Sequence, residues 1–161
     1  MFGSLSFSPA TPDDIETLVA MRLAFLEEVN GAPAPASLQS ELRAYFSHSV
    51  PTGEFVAHLA RHENRVVATS GLVVLRKPPS YSNFNGREGY IMNMYTLPAW
   101  RGCGIAARLL DAVITAAQAA LCCRLSLHAE PRARPVYERA GFVACGKEMA
   151  LEFVGRDEIE R

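Results

Sequence analysis

Leu97-Pro98-Ala99-Trp100-Arg101-Gly102-Cys103-Gly104-Ile105-Ala106-Ala107 is the stretch on which the reading of this chain turns. Pro98 stops an apolar run that begins at Gly89, and an amphipathic run begins just after Gly104. Between them two glycines sit where the backbone must turn tightly and expose its amides, since glycine has no Cβ to shield them. Exposed N–H groups at a helix start, with about half a positive charge from the helix dipole, make an anion site. A pyrophosphate is the natural guest.

Working outward, residues 89–97 read as a strand and residues 102–121 as a long helix. Ile105, Leu109, Val113, Ala116, Ala117 and Ala120 fall on one helix face, Arg108, Asp111, Thr115 and Gln118 on the other. Downstream, 124–129 reads as a strand and 135–140 as a short helix with Pro at its start and Gly141 after its end. Residues 142–153 are expected to close the chain as one or two strands. Upstream, 54–60 and 65–75 are rich in Val, Phe and Leu, and the polar turn 61–64 joins them as an antiparallel hairpin. Residues 76–86 form a loop by their Pro, Ser, Asn and Gly content. Near the start, Thr11-Pro12-Asp13-Asp14 has the chemistry of a helix N-terminus. A helical stripe follows through Ile15, Leu18, Val19, Arg22, Phe25, Leu26 and Val29. A second helix is expected from Ser37 to about His48. The order ααββ, then β-α-β-α-β, describes a mixed α/β sandwich around one central sheet.

The 161 residues suit a single domain over 1–161, large enough for a real core. Sixteen basic against seventeen acidic side chains leave a net charge of −1, which argues against a nucleic-acid partner. No apolar run approaches the ~18 residues of a membrane span, and the N-terminus lacks the pattern of a signal peptide, so a cytoplasmic setting is expected. Cys103, Cys122, Cys123 and Cys145 form no C-x-x-C pair and the four histidines are scattered, so no metal site is expected. Small buried thiols are the plain reading of the Cys122–Cys123 pair.

Two ligand classes use a glycine turn of this kind. Gly102-x-Gly104-x-x-Ala107 satisfies the dinucleotide fingerprint G-x-G-x-x-G/A, while Arg101-x-x-Gly104-x-Ala106 satisfies the R/Q-x-x-G-x-G/A pattern of GNAT acetyltransferases. The dinucleotide pattern calls for an acid ~20 positions on, and residues 122–127 contain none. About 40 residues remain after the long helix, too few for the rest of such a domain. Two further blocks resemble the GNAT superfamily: Tyr90-Ile91-Met92-Asn93-Met94-Tyr95-Thr96-Leu97-Pro98 ahead of the turn, and Arg134-Pro135-Val136-Tyr137-Glu138-Arg139-Ala140-Gly141-Phe142 after it. The resemblance spans about a third of the chain in motif, and the first 50 residues add no motif.

That resemblance implies a GNAT-like fold: a central, mostly antiparallel mixed sheet, splayed between strands 4 and 5, with helices on both faces. It implies acetyl-CoA as cofactor, with pantetheine in the splay along Met94, Tyr95 and Thr96. Arg101, Gly102, Cys103, Gly104, Ile105 and Ala106 then surround the pyrophosphate. The implied reaction passes acetyl from the thioester directly to a primary amine of a small molecule or peptide. An alkyl ammonium with pKa near ~10 must first lose a proton to expose its lone pair. Attack creates an oxyanion, for which the resemblance supplies a backbone N–H at Tyr95. Tyr137 is assigned to protonate the leaving thiolate; plain packing of its helix is the other reading. The strand position where many relatives carry an acid is Tyr90 here. Glu88, two residues earlier on the same side of a strand, is a candidate base through water, or an ordinary strand-end acid. Asn93 can order a water instead. Glu130 departs from an asparagine that contacts the coenzyme in many relatives. A covalent route through Cys103, a non-catalytic CoA-binding module and a homodimer complete the expectations. The acceptor's identity is not written in any motif.

Overall fold

A computed structural model describes residues 4–153. They fall into two compact units, Met1–His128 and Ala129–Arg161. The first holds five strands in the spatial order β1-β2-β3-β4-β5: Leu5–Pro9, Phe55–His62, Arg65–Arg76, Arg87–Thr96 and Leu125–Ser126. The first three pairings are antiparallel and the last is parallel.

Strand β1 falls in a segment where no strand was expected. Its alternation, Leu5-Ser6-Phe7-Ser8-Pro9, is short, and its serines and terminal proline look like loop chemistry. It is an edge strand, the place in a sheet where a proline costs no ladder bond on the open side. The helix start shifts as well. Pro12–Asp14 forms one 3-10 turn, in which the Thr11 amide donates to Asp14 Oδ2 at 2.8 Å. Helix α1 then runs Ile15–Asn30 and closes on Gly31. Helix α2, Ala36–Thr52, extends past the expected end near His48. Pro51 lacks an amide, but the Thr52 hydroxyl donates to His48 O at 3.1 Å and the last turn holds until Gly53. Helix α3 spans Ile105–Ala119.

The sheet is covered on both sides. Leu18 and Val19 of α1 and Phe46 of α2 pack on Phe55, Ala57 and Leu59, with Val73 and Met92 alongside. Ile105 and Leu109 of α3 pack on Ala60, Val67 and Ala68 on the other face, with Leu5, Phe7, Met94 and Trp100 at the margin. Burial of such side chains is worth about 1.5–3 kcal/mol each, the main force flattening these helices onto the sheet.

Met92 and Met94 lie on opposite faces although they are two residues apart, and a bulge explains it. Gly71 pairs with Met92 and Thr69 with Tyr95, so Asn93 and Met94 together oppose the single residue Ser70. Asn93 adopts φ 57°, a left-handed conformation that asparagine tolerates better than most residues. The inserted residue re-aims the strand downstream.

The second unit contains one regular element among its described residues, helix α4, Arg134–Arg139. The strands expected over 142–153 do not form; Val143, Met149, Leu151 and Phe153 are 78–96% exposed. A strand needs a neighbouring edge, and within this unit the only regular element is a helix.

Candidate active site

Strands β4 and β5 pair only at Gly89 with Leu125 and Tyr90 with Ser126. The strand expected over 124–129 is therefore two residues long, because its partner leaves it. Beyond Tyr90, β4 keeps its β3 partner through Thr96 but, among the described residues, has no strand on its other side. This is the splay, and its open edge can be read residue by residue. The Leu97 amide donates to Val67 O at 2.9 Å, toward β3. Alternation then turns the Tyr95 amide toward β3 as well, and those of Met94 and Thr96 toward the open edge. The oxyanion donor expected at Tyr95 thus lies on the paired side, and its neighbours carry the free amides.

Tyr95 works instead through its side chain. Buried at 8% exposure, its ring stands edge-on to Phe25 at 5.9 Å between centroids. Its hydroxyl donates to Glu28 Oε2 at 3.0 Å. Burial, and next the Glu28 carboxylate, push this phenol's pKa up. Arg101 donates to the same Oε2 at 2.7 Å and to Thr96 O at 3.0 Å. Its guanidinium lies 5.6 Å from the Tyr95 ring centroid, and the bond to Glu28 raises its pKa further. The Arg101 side chain is a strut from the glycine turn to β4 and α1. Glu28 carried no signal in the sequence beyond its place on a helix.

The turn itself is a short 3-10 segment, Pro98–Trp100, followed by two left-handed glycines. Gly102 has φ 75°; Gly104, the N-cap of α3, has φ 75° and ψ 5°. A Cβ built on either would meet nothing within 4 Å, so both backbones face open space. The first closed bond of the helix runs from the Arg108 amide to Gly104 O at 3.3 Å, and the amides before it have no partner within the helix. Ile105 is buried at 2%, anchoring this end of α3 in the core. Ala106 is half-buried beside it, and Cys103 is exposed with a free thiol, its Sγ 3.6 Å from Arg101 O.

The remaining candidates lie apart from the turn. Lys77 Nζ donates to Glu88 Oε2 at 2.6 Å, and that bond holds the Glu88 carboxyl below its ordinary range. Glu88 is thus occupied by a cation and made a weaker base. Asn93 is buried at 6%; its carbonyl accepts the Thr69 hydroxyl at 2.9 Å, while its Oδ1 has no partner among the described residues. Ser70 Oγ, on the strand residue opposite the bulge, is equally unpartnered among the described residues. Tyr90 hydrogen-bonds to His128 Nδ1, a histidine that no motif singled out.

In the second unit, Tyr137 is buried at 8%, its ring edge-on to Phe142 at 6.0 Å. Burial raises its pKa and keeps the hydroxyl protonated. Glu130 is exposed, its carbonyl accepting the Ala133 amide at 2.9 Å and the Arg134 amide at 3.1 Å. Among the described residues no cluster of three His, Cys, Asp or Glu can hold a metal ion. No described helix is long and apolar enough to cross a membrane.

Comparison with known proteins agrees with this geometry. The acetyltransferase (GNAT) family matches residues 21–142. The chain is 29% identical over 136 residues to a probable glucosamine 6-phosphate N-acetyltransferase from Oryza sativa subsp. japonica, covering 81% of this chain and 79% of that protein. Among solved structures it resembles a predicted acetyltransferase from Clostridium acetobutylicum, determined with acetyl-CoA. There the TM-score is 0.86 at 32% identity, over 92% of this chain and 96% of the other. It shares its fold with glucosamine-6-phosphate N-acetyltransferase from Arabidopsis thaliana: TM-score 0.72, 14% identity, 94% of this chain and all of that one.

Proposed function

The chain belongs to the acetyltransferase (GNAT) family, and from that premise we propose that it moves acetyl directly from acetyl-CoA to a primary amine of a small molecule. One observation carries the reading: the free edge of β4 after Tyr90 leads in sequence straight into the left-handed Gly102–Gly104 turn. Pantetheine amides extend along a strand edge as another strand would, and a pyrophosphate takes the amides at the start of α3. The residues fit the coenzyme. Met94 and Thr96 offer backbone groups, Gly102, Cys103, Gly104, Ile105 and Ala106 form the cradle, and Arg101 with Tyr95 and Glu28 braces it.

Bound acetyl-CoA supplies an activated thioester. The chain's own task is to hold the carbonyl against a backbone donor, for which we assign the Met94 amide at the bulge. A second task is to strip the attacking nitrogen of its proton. Tyr137 remains our candidate for returning a proton to the thiolate, since it lies within the matched residues and burial keeps its hydroxyl protonated. Direct attack is preferred to a covalent relay through Cys103, whose thiol sits exposed in the glycine turn rather than on β4.

The rice relative suggests an amino sugar phosphate as the first acceptor class to try. A cytoplasmic setting belongs to the same proposal, supported by the free thiols of Cys103, Cys122 and Cys123, of the kind a reducing compartment preserves. The homodimer is a proposal that sedimentation would test. The decisive experiment is a panel of amines, including glucosamine 6-phosphate and peptide N-termini, with release of free CoA thiol as readout. Acetyl-CoA binding without turnover on any amine would reduce the chain to a CoA-binding module.

A further inference from the structure

The hydrogen bond between Tyr90 and His128 stands at one place in the sheet. Tyr90 is the last β4 residue paired with β5, and Ser126 opposite it is the last of β5. His128 follows two residues later, just past the fork, and its ring meets the Tyr90 ring at 5.8 Å between centroids and 56° between planes. The two side chains therefore bridge the strands where they part, at the closed end of the open edge along which pantetheine is proposed to lie.

We propose that Tyr90 and His128 act together as the general base, a reading that rests on the acetyl-transfer function above. The amine nitrogen attacks the thioester carbon, forming the C–N bond while the carbonyl π pair moves to oxygen. The proton on that nitrogen passes to Tyr90 Oη as the Tyr90 proton passes to His128 Nδ1. The oxyanion then collapses, the C–S bond breaks, and thiolate departs. The imidazolium that remains returns its proton to water, which the exposed His128 ring reaches directly. The amine first gives one proton to water, since an alkyl ammonium near pKa ~10 has no lone pair to attack with. Nitrogen bonded to the new acyl centre is far more acidic, and its proton is the one the relay takes.

The surroundings agree. Arg22 of α1 lies close enough to Tyr90 to interact with it electrostatically. Burial lowers the pKa of Arg22, and its guanidinium lies 5.4 Å from the Phe25 ring centroid. Other ionic groups on this part of the sheet include Arg87, whose Nη1 donates to Ala120 O, Glu88, paired with Lys77, and Arg124 just before β5. Glu88 is tied up by its lysine, which leaves the Tyr90–His128 pair as the relay at the fork.

The test uses the full chain with the best amine from the panel. His128→Ala should lower kcat/KM for the amine by roughly 10²- to 10⁴-fold while acetyl-CoA affinity and melting temperature stay at wild-type values. Free imidazole should restore part of that rate, which a merely structural role would not allow. Tyr90→Phe should show a similar loss without rescue by imidazole. The pH profile of kcat/KM should differ between the wild type and His128→Ala. A folded His128→Ala enzyme with wild-type rate and pH profile overturns the relay and leaves acetyl transfer intact. Silence of the wild type on every amine overturns acetyl transfer itself, a different result from the same plate.

Discussion

Replacing Gly104 by valine should separate the cost of backbone strain from the loss of a ligand, because the structure supplies its own control. Gly104 and Gly53 share φ +75°, with ψ 5° and 8°, and neither would bring a Cβ within 4 Å of any atom. One begins α3 at the proposed phosphate cradle; the other ends α2. A non-glycine residue in this conformation costs about 1–2 kcal/mol, and a β-branched one belongs at the upper end. A domain of this size shifts its Tm by about 2–4 °C per kcal/mol, so both variants should melt about 2–8 °C lower. Binding should divide them. The valine side chain at Gly104 stands where phosphate oxygens meet the first-turn amides, and each charge-assisted bond lost is worth about 1.5–3 kcal/mol. One lost bond raises the Kd for CoA about 10- to 150-fold, at tenfold per 1.4 kcal/mol. Gly53→Val should bind CoA within about twofold of wild type, since it changes no amide near the cradle. Isothermal calorimetry on both variants, with melting curves alongside, is the assay. A folded Gly104→Val that binds CoA as tightly as Gly53→Val refutes the cradle and sends the pyrophosphate elsewhere.

Four further outcomes are expected. Glu88→Gln should leave kcat within about twofold at neutral pH, because its carboxylate is already paired with Lys77; a loss on the usual ~10²-fold scale of a general base would restore Glu88 to that role. The same pair sets a pH sign: the Glu88 pKa is depressed in the fold, so its stabilisation is whole above the ordinary carboxylate value and fades as pH falls through the folded value. Acid melting curves of Glu88→Gln and wild type should therefore converge, and curves that stay parallel would deny the pairing. Tyr137→Phe should lower kcat about 10- to 100-fold at constant acetyl-CoA affinity, the low end of acid catalysis because a thiolate already leaves well. Steady-state kinetics showing an undiminished kcat would make Tyr137 a packing residue. Glu28→Gln should bring the Tyr95 phenol back toward its ordinary pKa while leaving the burial contribution in place; an unchanged value by ultraviolet difference titration against Tyr95→Phe would refute that coupling.

What could be read from the chain, and what could not, follows from how far apart the cooperating residues lie. The glycine turn was legible because its chemistry is local: Arg101, Gly102 and Gly104 are neighbours, and a left-handed N-cap is demanded by backbone sterics within a few residues. Helix α3 was legible for the same reason, its apolar stripe repeating every turn. The splay was expected only through family resemblance, because its causes are a bulge at Asn93 and a strand that stops at Ser126, neither marked by periodicity. Glu28 and His128 were invisible for a stronger reason. Each acts through a partner on another element, 67 positions away for Glu28 and Tyr95 and 38 for His128 and Tyr90. Residue type alone says little at such separations, where register decides contact. The bulge also bears on an assignment that family resemblance had supplied, the oxyanion donor at Tyr95. Counting along β4 as a regular strand gives no reason to prefer one amide over another as oxyanion donor. The bond from Leu97 to Val67 fixes the parity after the insertion, which turns the Tyr95 amide toward β3 and that of Met94 toward the open edge. One inserted residue thus does two things at once: it turns an amide to the open edge and the Tyr95 ring inward to brace Arg101. Deleting Asn93 would undo both by restoring regular alternation, which is why the bulge, more than any single side chain at the turn, ties the fold to the chemistry.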